Sequence, residues 1–182
     1  MTKVKLYNRY PISSILVYNG TTLFHFLIGG LILSYSSRFF GVFGTVLGLL
    51  YISVSLFEMY ILIPLQVCRN CVYFKLENGL CISGLNVLAQ RIATEGSSSN
   101  FAERAKGLFC PNNLYIVSLV IPILCGIPIL ITAFSSTLLI LEISLFILLA
   151  TRFLYIIPRI ACVHCLSKFI CPQAGKMGVR EK

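Results

Sequence analysis

The residues richest in chemistry here are eight cysteines. Four of them form two C-x-x-C pairs, Cys68-Arg69-Asn70-Cys71 and Cys162-Val163-His164-Cys165. Two intervening residues let one tight turn present both thiolates to a single ion, so reduced C-x-x-C pairs point to metal. Each pair belongs to a longer match, I-P-x-x-x-C-x-x-C, beginning at Ile63-Pro64 and at Ile157-Pro158. A third cysteine follows in each half, Cys81 and Cys171. Cys110-Pro111 and Cys171-Pro172 add the Cys-Pro step that closes ferredoxin-type ligand runs.

Three chemistries suit this set. An iron–sulfur reading takes Cys68, Cys71, Cys81 and Cys110 as ligands in the first half. In the second half it takes Cys162, Cys165 and Cys171, with His164 or an exogenous group in the fourth position. The compact C-x-x-C-x-x-C run of ferredoxins is absent. A zinc reading needs only one tetrahedron, from Cys68, Cys71, Cys162 and Cys165, and leaves the other three cysteines unused. In the third reading one C-x-x-C cycles between dithiol and disulfide. His164 reads more simply as a neighbour of ligands than as a ligand. Cys125, among Pro122, Gly126 and Pro128, reads as a small packing residue.

The elements that must position these cysteines are hydrophobic. Of the 182 residues 57% are hydrophobic and only 12% charged, against about a quarter charged in soluble domains. A water-soluble globule and a disordered chain are both excluded. Apolar stretches cover residues 13–36, 41–66, 113–134 and 137–158. Each exceeds the ~20 residues an α-helix needs to cross the hydrocarbon core, and none alternates as a barrel strand would. The first is too long for a cleaved signal peptide. The expected fold is an all-α membrane protein, four transmembrane helices forming two tandem helical hairpins with a cytoplasmic cysteine-rich layer. Its parts are an N-terminus 1–12, a first hairpin 13–66, a loop 67–112, a second hairpin 113–158 and a tail 159–182. Residues 37–40 and 135–136 are the expected hairpin breaks, and Pro64 and Pro158 the expected helix exits. Within the loop, short helices are expected over 85–93 and 101–108, with Asn100 as N-cap of the second.

The net charge is +9, from 15 Lys+Arg against 6 acidic residues. Thirteen basic residues fall in the N-terminus, central loop and tail, while Arg38 stands alone in the opposite loop. Positive-inside bias therefore places both termini and the cysteine loop in the cytoplasm. The partners of this charge are lipid headgroups rather than nucleic acid. Cytosolic thiols stay reduced, which favours metal over a disulfide framework.

Ionisable residues inside spans mark functional positions, and there are four: His25, Glu58, Glu142 and Arg152. Glu58 precedes Pro64, and Arg152 precedes Pro158, by the same six positions. The repeat thus suggests that they meet as an ion pair beneath the cysteines, either fixing the packing or touching a cofactor such as a quinone. Gly29, Gly30, Gly41, Gly44 and Gly48 suggest close contact between the first two spans. No catalytic triad or phosphate-binding glycine loop is present. The Asp-His-His-Cys tetrad of protein palmitoyltransferases is missing too. The quinone-coupled disulfide-forming enzymes, also four-helix proteins with C-x-x-C pairs, work on the oxidising side, opposite to the side expected here. The expected function is an integral membrane iron–sulfur protein passing electrons between a cytoplasmic or membrane redox partner subunit and the bilayer. A zinc-stapled structural or assembly protein is the alternative, and a membrane thiol–disulfide oxidoreductase the second.

Overall fold

The computed structural model describes residues 4–103 and 111–179. Cys110 and most of the expected 101–108 helix lie outside the described residues. Four helices are long and apolar enough to cross a membrane: Ile12–Phe40, Val42–Asn70, Asn113–Thr132 and Ser136–Cys162. No strand forms among the described residues, only two isolated bridges. The surface of these helices is studded with exposed Leu16, Phe24, Phe43, Leu49, Leu124, Ile131, Phe146 and Leu154. In water so large an apolar surface would drive aggregation; in lipid it is solvated. Phe26, Ile32, Tyr51, Met59, Leu119, Leu138 and Leu145 turn inward and form the core.

Lipid tails are as apolar as leucine, so helix association there depends on close packing. The first span packs along the second through small residues. A Cβ on Gly48 would overlap the Gly30 carbonyl and the Ser34 hydroxyl, and one on Gly44 would overlap the Ser36–Ser37 backbone. Gly29 faces Pro122 and Tyr51 instead and so brings in the third span. Residues 37–40, expected as an open break, form a helical turn. The chain reverses at Gly41, whose φ of 55° and ψ of −136° exclude a side chain. On the way into the fourth span, Ser136 is already helical.

The second span runs past Pro64 to Gln66, its expected end, whereas the fourth continues beyond Pro158, where it was expected to end. The second span widens into a π-helix over Glu58–Leu62 and continues through Ile63–Gln66. The fourth widens over Arg152–Cys162, with Pro158 inside. A proline removes one N–H and crowds the preceding turn, and a widened turn relieves both. Both wide segments start at equivalent points of the repeat, Glu58 and Arg152, so the sequence match extends to an irregular backbone feature.

Pro122 lies inside the third span and leaves the Ser118 carbonyl without its helical donor. Tyr51 Oη donates to that carbonyl at 2.8 Å, and His25 Nε2 bonds the adjacent Leu119 carbonyl at 2.9 Å. His25 is thus a structural donor that satisfies a proline-disturbed backbone, as buried polar groups in lipid must. Glu142 packs so closely on Gly126, between Pro122 and Pro128, that a Cβ there would overlap its carboxyl group.

Candidate functional site: a chamber lined by six cysteines

The two C-x-x-C turns are built alike. In each, the second cysteine donates its N–H to the first carbonyl, Cys71 to Cys68 at 3.1 Å and Cys165 to Cys162 at 3.2 Å. Cys71 and Cys165 are then both extended, and each heads a single helical turn, Val72–Lys75 or Leu166–Phe169. The third cysteines are held separately. The Cys81 N–H donates to Asn86 Oδ1 at 3.0 Å, and Cys171 precedes the short helix Pro172–Lys176. Asn86 is 1% exposed and also donates to the Gly79 carbonyl at 2.9 Å, so it fixes the loop that carries Cys81.

The N-terminal segment ties the halves together. Tyr7 pairs with the second half, donating its N–H to the His164 carbonyl at 3.0 Å. Three residues on, Tyr10 donates its N–H to the Leu80 carbonyl of the first half at 2.9 Å. Side chains repeat the pattern crosswise: Tyr73 Oη donates to the Tyr7 carbonyl, and Tyr10 Oη to the Ala161 carbonyl. His164 stacks on the Tyr7 ring, centroids 4.5 Å apart, and its Nδ1 bonds the Lys5 carbonyl at 2.8 Å. Those contacts hold the histidine on the strap.

These elements enclose a cavity of about 250 Å³ whose wall includes Cys68, Cys71, Cys81, Cys162, Cys165 and Cys171. Six of the seven cysteines singled out from sequence therefore converge; the seventh, Cys110, lies outside the described residues. No disulfide joins the described cysteines. The thiols line a wall rather than closing round one point: among the described residues no three His, Cys, Asp or Glu side chains gather at metal-binding distance. Cys71 Sγ lies 3.1 Å from Ser167 Oγ. Burial pushes the Cys165 thiol up to about 12, and the nearby Cys71, Cys162 and Cys171 push it the same way against the Ser167 N–H. Tyr10 and Tyr73 are raised above the ordinary phenol range, chiefly by burial and next by Cys165. Such clustered thiols resist ionisation until a cation joins them. Cys125, expected to pack, is instead exposed on the third span, away from the chamber.

Beneath the cysteines lies a polar cluster that departs from the expected ion pair. Arg152 is 1% exposed and heads the fully buried side chains by volume. Its Nη1 donates to Thr22 Oγ1 at 2.5 Å, its Nη2 donates to Tyr115 Oη, and its guanidinium lies 4.5 Å from the Tyr18 ring centroid. Among the described residues the one ion pair is the exposed Lys75–Glu95 contact at 2.6 Å, so Glu58 does not pair with Arg152. Glu58 is 5% exposed, lies beside Ser118, and leaves Oε1 without a partner. Hydroxyls and aromatic faces engage the two terminal nitrogens of this rigid, weakly hydrated guanidinium with no carboxylate, while its Nε is left without a partner. Tyr18 and Tyr115 line the chamber, whereas Glu58 and Arg152 do not.

Sequence reasoning missed the tyrosines, Asn86 and the strap. Tyrosines near the ends of apolar stretches read as interfacial anchors, and only their spacing from Arg152 across other helices reveals the network. No family model, curated protein or solved structure matches the chain.

Proposed function

We propose that this chain is an integral membrane protein of two tandem helical hairpins whose cysteine chamber holds an iron–sulfur centre. Both termini and the cysteine layer face the cytoplasm, and the centre passes electrons between a cytoplasmic redox partner and the membrane. The observation that carries this reading is the convergence of six cysteines from both halves of the chain on one cavity of about 250 Å³. A zinc tetrahedron and a single iron–sulfur cluster each take four thiolates, and the Cys171-Pro172 step, which closes ferredoxin-type ligand runs, favours the cluster. An all-sulfur donor set suits iron–sulfur clusters. The cluster would be held by thiolates among these six and would supply one-electron chemistry when bound. Thiol–disulfide exchange is less well supported, because an attacking cysteine needs a lowered pKa and Cys165 is pushed to about 12.

The protein's own contribution is electrostatic and structural. The same face carries Arg9, Arg69, Arg159 and Lys168, the last only 4% exposed with its ammonium donating to the Val163 carbonyl at 3.3 Å. These charges offset the negative charge of a thiolate-held centre. The strap keeps the two C-x-x-C turns at fixed separation. Replacing Cys71 or Cys165 by serine should lower bound metal by at least half in protein purified without oxygen. Cys125→Ser should retain the wild-type amount. Equal metal contents in all three variants would remove the chamber from the account.

A further inference from the structure

The chamber has two chemically different ends. One carries the thiols; the other, bounded by the spans, carries Tyr18, Tyr115, Met59, Ile116, Phe153 and Ile157. Its span end is apolar except for two phenolic hydroxyls, and those hydroxyls are unusually well prepared. Tyr115 Oη accepts from Arg152 Nη2, and the acceptor within reach of its own hydrogen is the Thr22 hydroxyl. The Tyr18 hydroxyl has no hydrogen bond among the described residues, while its ring is fixed over the Arg152 guanidinium. The Thr22 hydroxyl is already engaged twice, accepting from Arg152 Nη1 and donating to the Tyr18 carbonyl at 2.7 Å.

A free phenol and a second whose nearest acceptor already makes two hydrogen bonds, set in an apolar and aromatic wall, fit a flat ring bearing carbonyl oxygens. An anion is a poorer fit: Arg152 is turned away from the cavity and its fork is occupied. A cation is opposed by the same guanidinium. Tyr18 and Tyr115 lie in the first two turns of their spans, at the depth where a membrane-dissolved ring would enter. Ile116, Phe153 and Ile157, which line the chamber from the third and fourth spans, are only half buried. The volume of about 250 Å³ is below the ~300–1,000 Å³ of sites that enclose drug-sized ligands. It admits a headgroup and leaves a long tail in the bilayer.

We infer that the span end of the chamber binds the headgroup of a membrane quinone, with Tyr115 and Tyr18 donating to one carbonyl oxygen. Arg152 is the positioning residue that orients both phenols. The role of the quinone as electron carrier rests on the proposed metal centre; its binding does not.

The test is equilibrium dialysis of a decyl-tailed benzoquinone against purified protein in detergent. A decyl alcohol serves as the tail-only control. Saturable binding at one per chain is expected for the quinone and not for the alcohol. Tyr115→Phe and Tyr18→Phe should each weaken binding about three- to tenfold, the loss of one neutral hydrogen bond. Tyr60→Phe, on the second span but outside the chamber, should bind as wild type and controls for tyrosine loss in general. The measurement is repeated on Cys71→Ser/Cys165→Ser protein of low metal content. Retained binding there leaves the quinone site standing even if no iron–sulfur centre exists. Equal affinity for quinone and alcohol, or unchanged binding in both phenylalanine variants, would overturn the inference.

Discussion

Arg152→Ala is expected to cost about 3–6 kcal/mol of unfolding stability, the sum of two hydrogen bonds to a charged group at about 1.5–3 kcal/mol each. The variant strips hydrogen-bond donors from Thr22 and Tyr115 and leaves a void where the largest fully buried side chain had been. Arg152→Lys should lose less, since the charge persists. An ammonium on a single stem does not reproduce the two-pronged contact, however, so recovery should be partial. Adding Glu58→Gln should change the Arg152→Ala value only by its own separate cost, because the two residues do not pair. Stability can be followed by denaturation in mixed detergent micelles. A double-variant loss that departs from the sum of the two single-variant losses by more than about 0.5 kcal/mol would mean that the two charges do interact.

The second large effect concerns the strap. Tyr10 is 2% exposed, donates its hydroxyl to Ala161 and packs near Tyr7 and Tyr73. Truncating a buried aromatic costs about 3–5 kcal/mol in soluble cores. Tyr10→Ala should reach that range, and its damage should be local. The cysteine face should open to thiol-reactive probes while the four spans stay folded. Tyr10→Phe should cost only about 1 kcal/mol, one hydrogen bond, and leave the thiols shielded. Equal labelling rates at Cys165 in wild type and Tyr10→Ala would show that the N-terminal segment does not close the chamber.

The membrane-spanning part was readable because its physics is coarse. Length and hydropathy alone define four crossings, and the structure has helices long and apolar enough for each. The gathering of the cysteines was also legible, since proline, spacing and place in the chain all repeat. What escaped was set by contacts far apart in sequence. Pro158 was read as the end of the fourth span, but a widened turn carries that helix on to Cys162. Asn100 was read as an N-cap, yet the helix begins at Ser98 and the Ser97 hydroxyl accepts the Ser99 N–H at 3.3 Å. A stretch rich in serine offers several equivalent caps, and local pattern does not choose among them. Glu58 and Arg152 were matched because opposite charges at equivalent positions invite pairing. Tyr115 lies far along the chain from both, and nothing in its neighbourhood marks it as the group that takes the guanidinium. The strap was invisible for the same reason: a short polar N-terminus carries no periodicity, and its partners are backbone carbonyls.

The central claim is that the six-cysteine chamber is an iron–sulfur site. Its most direct test is the iron, zinc and acid-labile sulfide content of anaerobically purified protein, read together with its visible absorption. The account predicts a brown protein with iron and sulfide in comparable amounts and an absorption that bleaches on reduction. A colourless protein carrying one zinc per chain, or no metal at all, would contradict it.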